Sequence, residues 1–449
     1  GHPGIPINSF LGTLIITEGG LWGKLTGVSV SIVAVFVIFG AILNAGEAGQ
    51  GFMNIAIAAA GRLRGGAAKV SVISSALFGS ISGSASANVA STGMVTLPTM
   101  IKLGYSKKIA GAVEAVASTG GQIMPPLMGA GAFVMVELTG IPYSQIIIAA
   151  FIPALLYFFA IWLGVNRYAE LYDLKPYKVE MLPQISTVIK TALFFLIPFS
   201  VLLAFMYSGY TPQFSAAIAI LSGLLLLFFD INLNFSWKTT KTRIVNASLF
   251  AGRQVSIIAS IILCASLIVG VLGITGLGIK VTSSIIALSG GNLWLALFLT
   301  AIACLILGME VPTTAAYVIC VSVAGPALID LGLKPLLVHL FIFWFALLST
   351  ITPPVCGGVF IAASMVEENW LKVAKTALVL GLGLYIIPLA MIRHPSLIDF
   401  ANFPLLSILT SIQIGVGLFF VSKGLIGKNL ILNVLLLIVS GNIVIFLPN

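Results

Sequence analysis

The chain has 449 residues, of which 59% are hydrophobic and only 8% charged, and that balance excludes an ordinary water-soluble domain. Its apolar runs are long and continuous, so an all-α polytopic membrane protein is expected and an alternating outer-membrane barrel is not. A net charge of +9 would suggest nucleic acid in a soluble protein; here it marks loops on one face of a membrane, and no nucleic-acid partner is expected.

Residues 1–24 are short of a span, and 28–44 form the first clear one. Residues 47–69 carry Glu47, Arg62, Arg64 and Lys69 around a short apolar run, which suits an interfacial helix. Together, 1–69 make an N-terminal scaffold span and interfacial helix. Residues 70–143 form a first transport repeat. There, 70–102 are split by Gly79-Ser-Ile-Ser-Gly-Ser-Ala-Ser-Ala-Asn88, so a re-entrant hairpin with its tip at Ser82–Asn88 is expected. Next, 106–137 contain Thr119-Gly-Gly-Gln-Ile-Met-Pro-Pro126. Two consecutive prolines remove two backbone donors, so the helix must break there. At membrane depth such a break is tolerated only where the freed carbonyls face protein, a cavity or an ion.

Residues 144–253 hold scaffold spans at 144–166, 190–207 and 213–229, then a basic connection at 230–253, taken as the boundary between halves. The second half repeats the scheme: a span at 255–278 and a short helix near 281–290 within 254–291, then a second transport repeat at 292–369. That repeat has a hairpin tip at Met309–Thr314 and a broken helix at 336–366 containing Thr352-Pro-Pro354. A span fills 370–394, and 395–449 add two apolar segments without counterpart in the first half.

Adding 228 maps Ala87, Pro98, Ile101, Leu103, Gly104, Pro125, Pro126 and Gly129 onto identical residues at Ala315, Pro326, Ile329, Leu331, Gly332, Pro353, Pro354 and Gly357. Paired interrupted segments in two halves point to the binding site of a secondary transporter. With 1–24 outside, eighteen of the 22 Lys and Arg fall on one side, which is then cytoplasmic, and the two hairpins open on opposite faces. An inverted-repeat, elevator-type transporter with two re-entrant hairpins and two broken helices follows as the expected fold.

The tips combine small residues with hard oxygen donors, and helix ends there expose N–H groups to an anion and carbonyls to a cation. Oxygen-only ligation suits Na⁺. The candidate ion ligands are Ser82, Ser84, Ser86, Asn88, Ser118, Thr119 and Gly121 in the first half, and Gly308, Thr313, Thr314, Ser349, Thr350 and Thr352 in the second. Ser84, Ala85, Pro125, Pro126, Pro312, Thr313, Pro353 and Pro354 are the candidate substrate contacts. Asn88→Ala and Thr352→Val are expected to weaken Na⁺ affinity and leave membrane expression near normal. Glu114, an intramembrane carboxylate, is the coupling candidate or else a brace; Glu310 is a second carboxylate without a charged twin. Cys264, Cys304, Cys320 and Cys356 read as core residues, and His2, His339 and His394 are scattered. No metal site beyond Na⁺ is expected. Gly19-Gly-Leu-Trp-Gly-Lys-Leu25 lacks the spacing of a phosphate loop, so an ion gradient is the energy source.

The runs Gly-Ser-Ile-Ser-Gly-Ser-Ala-Ser-Ala-Asn-Val-Ala-Ser-Thr-Gly (79–93), Glu-Ala-Val-Ala-Ser-Thr-Gly-Gly-Gln-Ile-Met-Pro-Pro (114–126), Val-Pro-Thr-Thr-Ala-Ala-Tyr (311–317) and Thr-Pro-Pro-Val (352–355) resemble the large membrane subunit of tripartite ATP-independent periplasmic (TRAP) transporters. The closer resemblance is to the fused-permease type served by a TAXI-class periplasmic binding protein, over roughly 1–392. It implies a Na⁺-coupled elevator importer of an organic anion, a dicarboxylate or an amino-acid-like acid, in a bacterial or archaeal inner membrane. The four-helix small part expected upstream is absent from the sequence, and the Gly-His-Pro-Gly start without Met suits a fragment of a longer polypeptide. A binding-protein-independent Na⁺/dicarboxylate symporter is the alternative within transport. An intramembrane hydrolase using Ser84 or Ser86 with His339 is the alternative outside it, and nothing in the sequence arranges that pair.

Overall fold

The computed structural model of the chain describes residues 4–17, 19–125, 127–231, 234–309, 311–427 and 430–446. His2, Pro126 and Glu310, each singled out in the sequence, lie outside the described residues. The described residues are helical throughout, apart from turns and one isolated bridge between Phe229 and Phe235. Among the described residues, seven helices are long and apolar enough to cross a membrane.

The first half runs α1 (Ile7–Ile16), α2 (Lys24–Ala45), α3 (Ala48–Ala60), α4 (Gly66–Ser82), α5 (Ala85–Lys102), α6 (Lys107–Gly120), α7 (Gly129–Thr139) and α8 (Tyr143–Tyr172). Two connecting helices follow, α9 (Ile185–Tyr207) and α10 (Pro212–Leu226). The second half runs α11 (Trp237–Thr275), α12 (Leu277–Ser289), α13 (Leu293–Leu307), α14 (Thr313–Asp330), α15 (Pro335–Leu348), α16 (Gly357–Val366) and α17 (Trp370–Arg393). The tail adds α18 (Pro404–Leu425) and α19 (Leu430–Gly441), the latter ending in a π turn, Asn442–Phe446.

The 228-residue offset read from a few identities is a register of whole helices. Shifted by 228, α5 and α6 fall end for end on α14 and α15, and Gly129, where α7 starts, falls on Gly357, where α16 starts. Gly104 and Gly332, which turn the chain after α5 and α14, have φ of 93° and 95°. Pro98 and Pro326 lie inside these helices at corresponding places.

Two elements differ from the sequence reading. The basic stretch 230–253 is helical from Trp237 and continuous with the following span, giving one 39-residue helix of about 58 Å. The second hairpin was expected to be re-entrant, yet its second arm, α14, qualifies as a span by length and composition. At 18 residues it reaches about 27 Å, the lower edge of a crossing.

α11 is fixed to the first half at one end. Arg243 donates both to Glu47, at the start of α3, and to the Phe229 carbonyl. α9 packs on α3 and α10, while α11 packs on α2 and α14. The second parts of the broken helices are exchanged between the repeats. α16 packs against α5 and α6, and α7 packs against α14 and α15. Each repeat therefore closes over the other's break. Within the first repeat, Gly83, at φ 63°, carries the tip into contact with Gly129, where an added Cβ would lie 2.9 Å from the Gly129 Cα.

Candidate functional site

Both hairpin tips and both breaks converge on one cavity of about 320 Å³. The first tip contributes Ser82, Gly83, Ser84, Ala85 and Ser86; the second contributes Gly308, Val311, Pro312, Thr313 and Thr314. Gln122 and Ala130 line it from the first break, and Thr350 and Gly357 from the second. The fourth wall is α11, through Gln254, Ile257, Ile258 and Ile261.

Four helices begin at this cavity. Ala85, Ala130, Thr313 and Gly357 lie in the first turns of α5, α7, α14 and α16. A helix start exposes unpaired N–H groups and carries roughly half a positive charge. Ser84 caps α5, its hydroxyl accepting from the Ala87 N–H at 3.3 Å. The concentration of donors suits an anion without any basic side chain, and among the described lining residues there is no Lys, Arg or His.

Behind the first tip lies a buried polar knot. The Asn88 amide nitrogen donates to the Ser75 and Ser118 carbonyls at 2.9 and 3.1 Å, leaving its oxygen without a partner. Gln122 is 6% exposed and donates from Nε2 to the Gly83 carbonyl at 3.0 Å; its Oε1 also has no partner. Ser82 Oγ is the third unpartnered oxygen at this tip. Buried acceptors are normally satisfied, and three hard oxygens beside one tip fit a Na⁺ ion in donor chemistry.

The corresponding groups of the second half are engaged internally. Ser349 Oγ donates to the Gly308 and Ala346 carbonyls, reaching 2.9 Å at the second tip. The Thr350 hydroxyl meets the Leu347 carbonyl, and Thr352 Oγ1 lies 2.6 Å from both the Leu348 carbonyl and the Tyr385 hydroxyl. Their remaining lone pairs point to no described partner beyond these and Thr119.

Glu114 stands one turn before the first break and is fully buried. Its carboxylate is surrounded by four hydroxyls, those of Ser71 (2.8 Å), Ser118 (3.0 Å), Thr92 and Thr96. These come from α4, α5 and α6, so the group ties the hairpin to the broken helix and does not line the cavity.

Of the sequence candidates, Ser82, Ser84, Ala85, Ser86, Gly308, Pro312, Thr313, Thr314 and Thr350 are on the cavity wall. Asn88, Ser118 and Gly121 lie behind the first tip, where Gly121 packs on Gly79 and the Asn88 amide. Thr119 reaches across to Thr350, and Ser349 and Thr352 brace the second break. Pro125, Pro353 and Pro354 interrupt the helices but are not on the wall. His339 Nδ1 is 2.7 Å from the Tyr317 hydroxyl, and neither residue lines the cavity, so no serine–histidine pair is assembled there.

Sequence reasoning missed Gln122 and Gln254. Gln122 carried a usable signal, being the single amide within the first break; Gln254 sits just past the stretch read as a basic connection, at the edge of the next span, and carried none. Among the described residues no group of three or more His, Cys, Asp or Glu gathers to hold a metal.

The family described as "Tripartite ATP-independent periplasmic transporter, DctM component" matches residues 8–406. The large permease protein of a C4-dicarboxylate TRAP transporter from Pseudomonas aeruginosa is 25% identical over 74% of this chain and 76% of that protein. That of an ectoine/5-hydroxyectoine TRAP transporter from Ruegeria pomeroyi is 26% identical over 86% and 89%. The permease protein of an isethionate TRAP transporter from Oleidesulfovibrio alaskensis is 24% identical over 76% of this chain and 53% of that protein.

Proposed function

The chain belongs to the tripartite ATP-independent periplasmic transporter family as its DctM component, the large permease, and from that premise we propose that it imports a small organic anion down a Na⁺ gradient. It is a multi-pass protein of the inner membrane and a transporter permease, not an enzyme. A periplasmic binding protein and a small membrane subunit are the partners with which this family works. In the proposal the binding protein is of the TAXI class, and the small part has four helices.

The single observation that carries the reading is the cavity between the two tips. Four helix starts supply the electrostatics for a carboxylate, while the unpartnered oxygens of Ser82, Asn88 and Gln122 supply ligands for Na⁺. Ion and anion then stabilise each other across the same tip, which couples the two. The second Na⁺ position, formed by Gly308, Thr313, Thr314, Ser349, Thr350 and Thr352, is proposed by repeat symmetry. In the elevator reading, α4–α7 and α13–α16 travel together past α2, α8–α11 and α17.

Proteoliposomes containing the permease, its small part and the binding protein test this directly. Uptake of succinate, ectoine or isethionate should require an inward Na⁺ gradient and should fall to background when the binding protein is omitted. Full uptake without the binding protein would leave only the self-sufficient symporter; uptake on a proton gradient alone would remove Na⁺ from the account.

A further inference from the structure

The turn between α10 and α11 carries a group of aromatic side chains, none of which lines the cavity. An antiparallel bridge pairs Phe229 with Phe235. Phe228 stacks on Phe235, with ring centroids 5.9 Å and planes 11° apart, and meets Trp237 at 5.9 Å as well. Yet Phe235 and Trp237 are 66% and 65% exposed. Along α11 the same face continues through Lys238, Lys241, Val245 and Leu249, all exposed. Thr240, Ala247 and Ala251, on the opposite face, are buried. Neither Lys238 nor Lys241 has an ion-pair partner among the described residues. Arg243 is engaged by Glu47, and the Asp230 carboxylate accepts from the Asn234 N–H at 2.8 Å.

The length of α10 fixes the depth of this group. By the distribution of basic residues the loop 208–212 before it lies on the outer face. α10 has 15 residues, so it advances about 22 Å into a hydrocarbon layer of about 30 Å. Phe228, two residues past its end, therefore sits at the inner edge of the bilayer, and Phe235 and Trp237, stacked on it, share that level. Aromatic rings favour this interface, and the anionic headgroups of the cytoplasmic leaflet attract basic side chains beside it. We propose that the exposed face formed by Phe235, Trp237, Lys238 and Lys241 is a docking surface for anionic lipid of the cytoplasmic leaflet. Phe235 and Trp237 enter the acyl chains next to the headgroups, and the two lysines contact the headgroups themselves. The proposal rests on the membrane orientation of the chain and on neither the substrate nor the ion. Because α11 also walls the cavity, lipid held here fixes the depth of the element past which the tips travel.

The test uses the complete transporter, permease with its small part, in nanodiscs of equal parts phosphatidylcholine and phosphatidylglycerol. It needs no substrate, so its failure and that of the transport reading are distinguishable. One lipid at a time carries chains brominated near the headgroup end, which quench tryptophan on contact. The Trp237 signal is the difference between the native protein and Trp237→Phe. Brominated phosphatidylglycerol should quench that signal about twofold more strongly than brominated phosphatidylcholine, and raising the ionic strength should weaken the preference. Lys238→Gln combined with Lys241→Gln should bring the two lipids level while Trp237 stays quenched by both, and a normal size-exclusion profile shows that this variant is folded. Equal quenching of the native protein by the two lipids would overturn the proposal, since the surface would then be apolar and indifferent to charge. A preference that survives the double substitution would overturn it too, by removing the lysines from the contact. Quenching by neither lipid would mean that protein, the small part or a second copy, covers the face, and no lipid docks there.

Discussion

Thr119 and Thr350 meet hydroxyl to hydroxyl at 3.1 Å across 231 residues of chain, and this contact joins the two breaks. Each also points at a carbonyl of its own helix, Ala115 and Leu347, at 2.8 Å. A hydroxyl has one proton, so only one of the pair donates across the gap at a time. The repeats are thus linked at their weakest backbone by a bond that can change direction without moving an atom heavier than hydrogen.

Valine at either position keeps the shape and removes the bond. Thr119→Val and Thr350→Val should each cost about 0.5–1.5 kcal/mol, and the double variant should cost little more than either alone, because both singles delete the same contact. Thermal unfolding of the purified permease in Na⁺ gives the comparison. Strictly additive losses would mean that the two hydroxyls carry no mutual energy.

The setting of Asn88 gives it a structural part beside the ligand part expected from its position in the tip. Its amide nitrogen holds the Ser75 and Ser118 carbonyls in a fully buried setting. Asn88→Ala would remove both of these bonds, at about 0.5–1.5 kcal/mol each, while the Ser118 carbonyl keeps the Gly121 N–H. Reduced yield of folded permease is therefore the expected outcome, with lower Na⁺ affinity in whatever folds. Asn88→Asp should be worse, since it loses both donors and adds a charge beside two carbonyls. Fluorescence-detected size-exclusion profiles decide the matter; a normal profile for Asn88→Ala would return the residue to a purely ligand role.

Glu114 can be separated from coupling by an isosteric change. Four hydroxyls surround the carboxylate, and each can rotate to accept from an amide as readily as it donates to a carboxylate. Glu114→Gln should lower thermal stability by about 1–3 kcal/mol while leaving the Na⁺ concentration for half-maximal uptake unchanged. Glu114→Ala should destabilise further, by removing the partner of all four. Loss of Na⁺ dependence in a well-folded Glu114→Gln protein would make the carboxylate part of the coupling site after all.

How much of this was legible depends on the range of the interaction. Pro125, Pro353 and the small-residue tips announce themselves locally, because two missing donors or a glycine run constrain the backbone wherever they occur. The 228-residue register was visible in a handful of identities because paired turns need the same residues, as Gly104 and Gly332 do at positive φ. The exchange of α7 and α16 between repeats was not visible, since it depends on which apolar face finds which partner. Gln254 was hidden for a related reason: nothing in the run around Arg243 and Arg253 distinguishes a loop from the continuation of α11. Glu114 stood out in the sequence as an intramembrane carboxylate, but its four hydroxyl partners come from three helices, and only one, Ser118, is a helical neighbour at i+4.

The proposed sliding motion can be tested where the first tip meets α11, the helix that walls the cavity. α11 is the scaffold element at the cavity, and its Ile258 shares both this cavity and an adjoining 90 Å³ pocket with Ser82 of the first tip. If the tips travel past α11, that neighbourhood exists in one state only. Cysteines at Ser82 and Ile258, in a background with the exposed Cys264 replaced by Ser, should be joined by a short bifunctional thiol reagent. The linked transporter should lose more than about nine-tenths of its uptake, a block that reduction of a cleavable linker reverses. The Ile258→Cys single variant treated in the same way should retain most activity, and the untreated double variant gives the baseline. Efficient cross-linking with uptake intact would mean that the tips and α11 stay together through the cycle, and the moving body would then have to include α11.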